Sequence, residues 1–255
     1  MTENAFETIP GDGRLLFLCD HASNRVPEGR LGLAPGLLAT HIAYDIGAAA
    51  VTRALAKAYG APAFLGGWSR LLIDLNRGAD DPTIVMKLSD GSIIPGNVLG
   101  SRDAEAADVA WRINTFHTPY HAAIAAALDR MGADAVVVSM HSFTPAWKGD
   151  PRPWEVGILY DRDVRLAAPL MARLREAGFV VGDNEPYSGA LIGDTLYQHG
   201  TLRGLPHVLI EIRQDLIATD DAAQAFAVRL QPILDAALSD MQGADVRGTD
   251  MHRQG

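Results

Sequence analysis

The chain has 255 residues, 48% of them hydrophobic, and its 22 Lys and Arg against 31 Asp and Glu leave a net charge of −9. That apolar share suffices for a full core, while the acidic balance and the lack of a Lys/Arg cluster exclude a phosphate-binding surface for nucleic acid. A single cysteine, Cys19, excludes an internal disulfide and a thiolate metal site.

Residues 1–13 read as a polar entry segment closed by Pro10-Gly11-Asp12-Gly13. They carry no basic, apolar leader pattern, and no run nears the ~18 apolar residues of a membrane span, so a cytoplasmic protein without a membrane partner is expected. Leu15 to Cys19 predicts a strand that leads straight into Asp20-His21-Ala22-Ser23-Asn24. Leu37 to Tyr59 predicts one amphipathic helix stopped at Gly60, with Asp45 in its first half.

Ala61 to Leu65 and Ser69 to Leu75 predict two strands, the second breaking at Asn76-Arg77-Gly78. The Asp-, Gly- and Pro-rich stretch 78–101 predicts a functional loop with a hairpin signal at Ser92-Ile93-Ile94. Helical spacing returns over 102–130 and is interrupted at Pro119. Asp134 to Phe143 is a β-branched apolar run ending in His141-Ser142-Phe143, the pattern of a buried parallel strand.

A Pro-rich loop, 144–154, follows, then a strand at Val156 to Tyr160, a helix at Arg162 to Ala177 and a short strand at Phe179 to Val181. After a loop at Asp183 to Gly193 come a short helix at Asp194 to His199, a last core strand at Val208 to Ile212 and a closing helix at Asp220 to Met241. Residues 242–255 read as a polar tail. The alternation predicts one α/β domain over residues 14–241, with a mixed, mainly parallel sheet and helices on both faces.

Ligands of open α/β sheets collect beyond the carboxyl ends of the strands, and three strand ends here carry His21, His141 and Glu211. Two imidazoles with acids beside them suggest a hydrolytic metal centre, which keeps about three N or O ligands and one open position. His21 and His141 are the imidazole pair; Asp45 is the preferred third ligand, with Asn24 the alternative. Asp20 and Asp74 suit the far nitrogens of those imidazoles. Glu211 ends an apolar run, where a raised pKa would let it take a proton from an activated water and return it to a leaving amine.

Arg70, Arg77 and Arg213 are candidates for a substrate carboxylate, because a guanidinium fork matches it bidentately. His117 and His121 are four apart, yet the stretch lacks a zincin glutamate and contains Pro119, so only a substrate contact is expected of His121. No Gly-x-Ser-x-Gly elbow occurs.

Asp20-His21-Ala22-Ser23-Asn24-Arg25-Val26-Pro27, Tyr44-Asp45-Ile46-Gly47-Ala48, Ser69-Arg70 with Asp74-Leu75-Asn76-Arg77, Pro119-Tyr120-His121, Met140-His141-Ser142-Phe143 and Glu211-Ile212-Arg213-Gln214-Asp215 together resemble the N-formylglutamate amidohydrolase family. A more distant likeness to zinc carboxypeptidases implies a phosphorylase/hydrolase-like, zinc-peptidase-like fold. It also implies His21 and His141 as zinc ligands, Asn76 and Arg77 on the substrate carboxylate and oxyanion, and Glu211 as general base. Asn24 departs from the peptidase glutamate, and the related muramoyl-alanine amidases take that ligand from the following helix, which favours Asp45. The resemblance implies a zinc-dependent amidohydrolase, other divalent transition metals being compatible with the ligands, that removes an N-acyl group, formyl first, from an acidic amino acid. Alternatives are an amidase or peptidase for another N-acylated amino acid or peptidoglycan-derived peptide, and a non-catalytic carboxylate-binding protein.

Overall fold

A computed structural model of the chain describes residues 4–252. Its strands are β1 (Phe6–Ile9), β2 (Leu15–Cys19), β3 (Ala63–Gly66), β4 (Leu88–Ser89), β5 (Ser92–Ile93) and β6 (Val136–Phe143). They continue with β7 (Ala146–Trp147), β8 (Asp150–Pro151), β9 (Val156–Leu159), β10 (Val181–Asp183) and β11 (His207–Arg213). The helices are α1 (Ala48–Tyr59), α2 (Arg102–Arg112), α3 (Thr118–Met131), α4 (Ala167–Glu176), α5 (Thr195–His199) and α6 (Asp220–His252).

Seven strands form one mixed sheet in the order β1-β3-β2-β6-β11-β9-β10, while β4-β5 and β7-β8 are separate hairpins. The central strands β3, β2, β6 and β11 run parallel; β1 and β9 join antiparallel. This is the mixed, mainly parallel single-domain α/β architecture that the sequence predicts.

Because side chains alternate across a strand, each central strand feeds both faces. Phe17 and Cys19 of β2, Val138 and Met140 of β6, and Ile210 and Ile212 of β11 pack in the core beneath α1, α4 and α6. Leu16 and Leu18, Val137, and Leu209 pack in the opposite core with α3 and the 71–75 segment. His141 shares the parity of Val137, and Glu211 that of Leu209, so both turn to this second face at the rim.

The long segment between β3 and α2 is ordered by a buried polar hub. Arg112, fully buried, donates to Leu72 O and Asn97 Oδ1 at 2.7 Å each and pairs with Asp108, while Asn97 Nδ2 donates to Leu71 O and Met86 O. A guanidinium so buried persists because both Nη groups are matched to acceptors, although its Nε is buried without a partner among the described residues.

Several expectations are corrected. The first helix begins at Ala48, not Leu37: Gly47 adopts φ 81°, and Asp45 N donates to His21 O at 3.0 Å, fixing a turn against the end of β2. Ser69 to Leu75 is a chain of turns, because Ser69 Oγ is taken by Ala43 O at 2.8 Å and Asp74 N by Ile84 O at 2.8 Å. Its leucines nonetheless reach the core. The strand expected at Phe179 to Val181 begins at Val181, with Phe179 packed under α4. The entry segment contributes an edge strand, β1, and α6 continues past Met241 to His252 where a tail is expected; residues 1–3 and 253–255 lie outside the described residues. No helix among the described residues is long and apolar enough to cross a membrane.

Candidate functional site

His21 follows β2, Asp45 sits in the turn before α1, and His141 lies in β6 near its carboxyl end. The two imidazole centroids are 4.9 Å apart, and one donor atom from each of His21, Asp45 and His141 falls within 4.8 Å of the others. All three side chains are buried.

Both imidazoles turn Nδ1 toward the same carboxylate oxygen. Asp45 Oδ2 lies 2.8 Å from His141 Nδ1 and 3.4 Å from His21 Nδ1. Their opposite nitrogens have carboxylates of their own: His21 Nε2 is 2.6 Å from Asp74 Oδ1, and His141 Nε2 is 3.3 Å from Asp20 Oδ2. Asp20 Oδ1 in turn accepts from Tyr120 Oη at 2.8 Å and Thr195 Oγ1 at 3.0 Å. With the ring protons held on Nε2 by these acids, two nitrogen lone pairs and a carboxylate oxygen converge, a set of acceptors that a cation satisfies. Asp45 Oδ2 stands 2.8 and 3.4 Å from the two nitrogens, near the roughly 3.3 Å edge of a zinc tetrahedron built from bonds of about 2.0–2.1 Å, and the whole set closes within 4.8 Å. The donor set therefore fits a divalent transition metal.

The surrounding carboxylates give the site a field that favours positive charge. Burial raises the carboxyl of Asp74, but Arg70, His21 and Arg77 outweigh it and hold the group well below its ordinary value. Burial and Arg70 depress His21, yet Asp74 and Asp45 raise it overall. His141 is raised well above its ordinary value: burial opposes this, but Asp20 and Asp45 prevail.

Glu211 is the register partner of His141 across the parallel β6–β11 pair. Burial is the main cause of its pKa rising to about 7, with Asp45 adding and His141 opposing. Its Oε2 is buried without a protein hydrogen bond. On its other side Gly157 of β9 is the register partner, where a Cβ would lie 2.2 Å from Glu185 O. Glycine there admits the loop that carries Tyr187.

A cavity of about 220 Å³ joins these groups, with His21, Asp45, His141 and Glu211 in its wall together with Arg70, Asn76 and Arg77. Leu159, Leu209, Phe143 and Tyr187 supply apolar surface. A neighbouring cavity of about 190 Å³ shares Leu159, Leu191, Leu209 and Asp194 with it but touches neither the histidine pair nor Glu211.

The arginines differ. Arg70 Nη2 donates to Asp74 Oδ2 at 2.8 Å and Nη1 lies 3.7 Å from Asp45 Oδ1, so its charge is already matched. Arg77 Nη1 donates to Asn76 O at 3.2 Å, and among the described residues it has no carboxylate partner. Asn76 is buried, with Oδ1 accepting from Thr195 N at 3.1 Å.

Two expected substrate contacts are corrected. His121 lies behind the wall, its Nε2 donating to Leu75 O at 2.9 Å and its Nδ1 2.9 Å from His199 Nε2. Arg213 pairs with Asp215 and donates to the carbonyls of Arg152, Pro153 and Trp154, clamping that segment outside the cavity. Asn24, the alternative third ligand, donates Nδ2 to Leu38 O at 2.9 Å and does not line the cavity. Tyr187, Gln214 and Asp194 line the cavity unforeseen. For Asp194 a signal existed, since it caps α5 by accepting from Tyr197 N at 2.7 Å; Tyr187 carries none in its local sequence.

The family model for N-formylglutamate amidohydrolase matches residues 13–218. A gene product of Agrobacterium tumefaciens is 34% identical, with a TM-score of 0.88 over 94% of this chain and 97% of its own. The N-formylglutamate amidohydrolase of Ralstonia eutropha is 23% identical, with a TM-score of 0.63 over 96% of this chain and 99% of its own, a likeness of fold. None of the curated proteins compared with the chain matches it. Because the match over 13–218 takes in every strand of the main sheet except the edge strand β1, the chain belongs to the N-formylglutamate amidohydrolase family, hydrolases of amide bonds.

Proposed function

We propose that the protein is a zinc-dependent amidohydrolase that removes an N-acyl group, formyl in the first instance, from an acidic amino acid such as glutamate. The observation that carries this reading is Glu211, a buried carboxylate with a pKa near 7 and an oxygen without a protein partner, beside the His21-Asp45-His141 donor set.

Zinc held by those three residues would polarise the amide carbonyl and lower the pKa of a nearby water. Glu211 takes the proton of the attacking water as its oxygen adds to the acyl carbon, and delivers a proton to the nitrogen as the C–N bond breaks. A base with a pKa near the working pH serves both transfers. Arg77, which forms no ion pair among the described residues, holds the substrate α-carboxylate, with Asn76 beside it. Asp20 and Asp74 hold the imidazoles in the tautomer that leaves Nδ1 free to bind. Products are the acyl acid, formate for a formyl group, and the free amino acid.

The cavity, about 220 Å³, is smaller than the roughly 300–1,000 Å³ of pockets for drug-sized ligands. That favours a single small acid over a polymer. The test is formate release from N-formyl-L-glutamate by metal-replete protein, with and without a chelator. Metal-dependent release supports the reading; full activity after exhaustive chelation, or in Glu211→Gln, overturns it.

A further inference from the structure

Two imidazoles of the helical layer take no part in the proposed chemistry, yet both reach the segment that carries Asn76 and Arg77. A π-turn, Ile113–His117, joins α2 to α3, a wide turn of the kind that recurs at functional sites. It ends at His117, and His121 stands one turn on, so the two buried rings share a face of the helix with their centroids 4.1 Å apart. His117 Nε2 lies 2.9 Å from Arg77 O, and His121 Nε2 lies 2.9 Å from Leu75 O. A carbonyl only accepts, so each ring carries a proton on Nε2 and donates it. Burial lowers the pKa of both rings, in keeping with one proton on each. His199 Nε2 then donates to His121 Nδ1 at 2.9 Å, which holds the second ring in that tautomer.

The backbone carbonyls of Leu75, Asn76 and Arg77 are all engaged, the middle one by Arg77 Nη1 at 3.2 Å. Asn76 N donates to Asp74 Oδ1 at 3.0 Å, and Thr195 N donates to Asn76 Oδ1 at 3.1 Å. What the segment has left to offer the cavity it lines is Asn76 Nδ2 and the remaining donors of the Arg77 guanidinium. That guanidinium folds back on a carbonyl of the same gripped segment, so fixing the backbone fixes the charge. A cation placed in this way loses less freedom when it meets a carboxylate.

We propose that His117 is a positioning residue for substrate binding: it sets the place of the Arg77 guanidinium through the carbonyl of Arg77, while His121 and its donor His199 brace the segment two residues upstream. The identity of the substrate rests on the amidohydrolase reading, although the positioning itself is a matter of binding. A ring that only filled space behind the wall would be replaceable by phenylalanine.

The test is a double-mutant cycle of His117→Phe and Arg77→Met on N-formyl-L-glutamate, with His117→Gln as the conservative variant and every protein zinc-replete. His117→Phe keeps the ring and removes the donor; His117→Gln returns an N–H at about the reach of Nε2. Loss of the bond predicts a KM raised roughly 10-fold in His117→Phe with kcat changed far less, and a KM restored toward native in His117→Gln. Adding His117→Phe to Arg77→Met should raise KM no further, because the imidazole acts through the guanidinium. A native KM in His117→Phe, or effects of the two substitutions that simply add, overturns the inference. Should His117→Phe fail to fold, His117→Asn, whose amide stops short of the carbonyl, replaces it in the cycle under the same expectations. Calorimetric binding of N-formyl-L-glutamate to the same proteins separates the two readings. Binding without turnover that weakens in His117→Phe, and no further when Arg77→Met is added, would sink the hydrolase assignment and uphold the positioning; turnover with a native KM in His117→Phe would do the reverse. A native protein that neither binds nor cleaves the compound overturns both.

Discussion

Glu211 and His141 face each other across the β6–β11 ladder as direct register partners, so the group proposed to move protons and one proposed to bind metal share a rigid backbone frame. Replacing Glu211 with Gln keeps the shape and removes the base. A fall in kcat of roughly 10²- to 10⁴-fold is expected, the range of general acid–base catalysis. KM and zinc content should stay close to native. Zinc loss parallel to the loss of rate would instead make Glu211 a ligand.

Asp20 and Asp74 each accept from the Nε2 side of an imidazole whose Nδ1 faces Asp45. Converting either to Asn leaves the nearby ligands in place but weakens their orientation and basicity. Zinc affinity, measured by competition with a chelator, should drop about 10- to 100-fold, with activity regained at saturating zinc. Asp45→Asn, which alters a direct donor, should not be rescued in this way. Native affinity in both outer variants would remove the orienting role.

Much of this arrangement is legible in the residues because strand ends are legible. Short apolar runs that lead into His21, His141 and Glu211 mark both the sheet and its rim. What escapes the sequence is set by tertiary contacts. Gly47 looks like an ordinary residue in a helical stretch until its neighbour Ile217 is known. Ser69 to Leu75 has the composition of a strand, yet its backbone partners are Ala43 and Ile84 and not another strand. His121 and Arg213 carry the right chemistry on elements that turn them away from the cavity. Arg152 and Tyr187 meet across a loop pairing that no local pattern encodes.

His121 and His199 predict an acid-sensitive fold. Burial chiefly depresses them to about 3 and about 4, so the native state leaves both neutral. In the unfolded chain they titrate near 6.5. Between those values the unfolded state binds more protons, so their stabilisation, complete above about pH 6.5, is lost as pH falls toward 4. Asp194, raised by burial to about 6, takes up a proton in the native state over part of that window and opposes the effect. His199→Gln isolates one imidazole while keeping a donor for His121. From pH 7 to 5 the native protein should lose about 1–2 kcal/mol more unfolding free energy than the variant. Parallel pH profiles in denaturant titrations would contradict the assignment.

Gly47 sets the position of Asp45. At φ 81° a side chain is strained, and a Cβ would stand 2.1 Å from Ile217 O and 2.7 Å from Ile217 Cγ1, so backbone has to move. Gly47→Ala therefore carries a conformational cost on the order of 1–2 kcal/mol and displaces the turn that presents Asp45 between the imidazoles. Reduced thermal stability and weakened zinc binding are expected together. Gly60→Ala is the control: its φ of 58° imposes a similar conformational penalty, but no atom lies within 4 Å of its added Cβ and it caps the far end of α1. That variant should lose stability and keep zinc affinity. Equal zinc binding in the two variants would show that Asp45 is positioned by something other than the Gly47 turn.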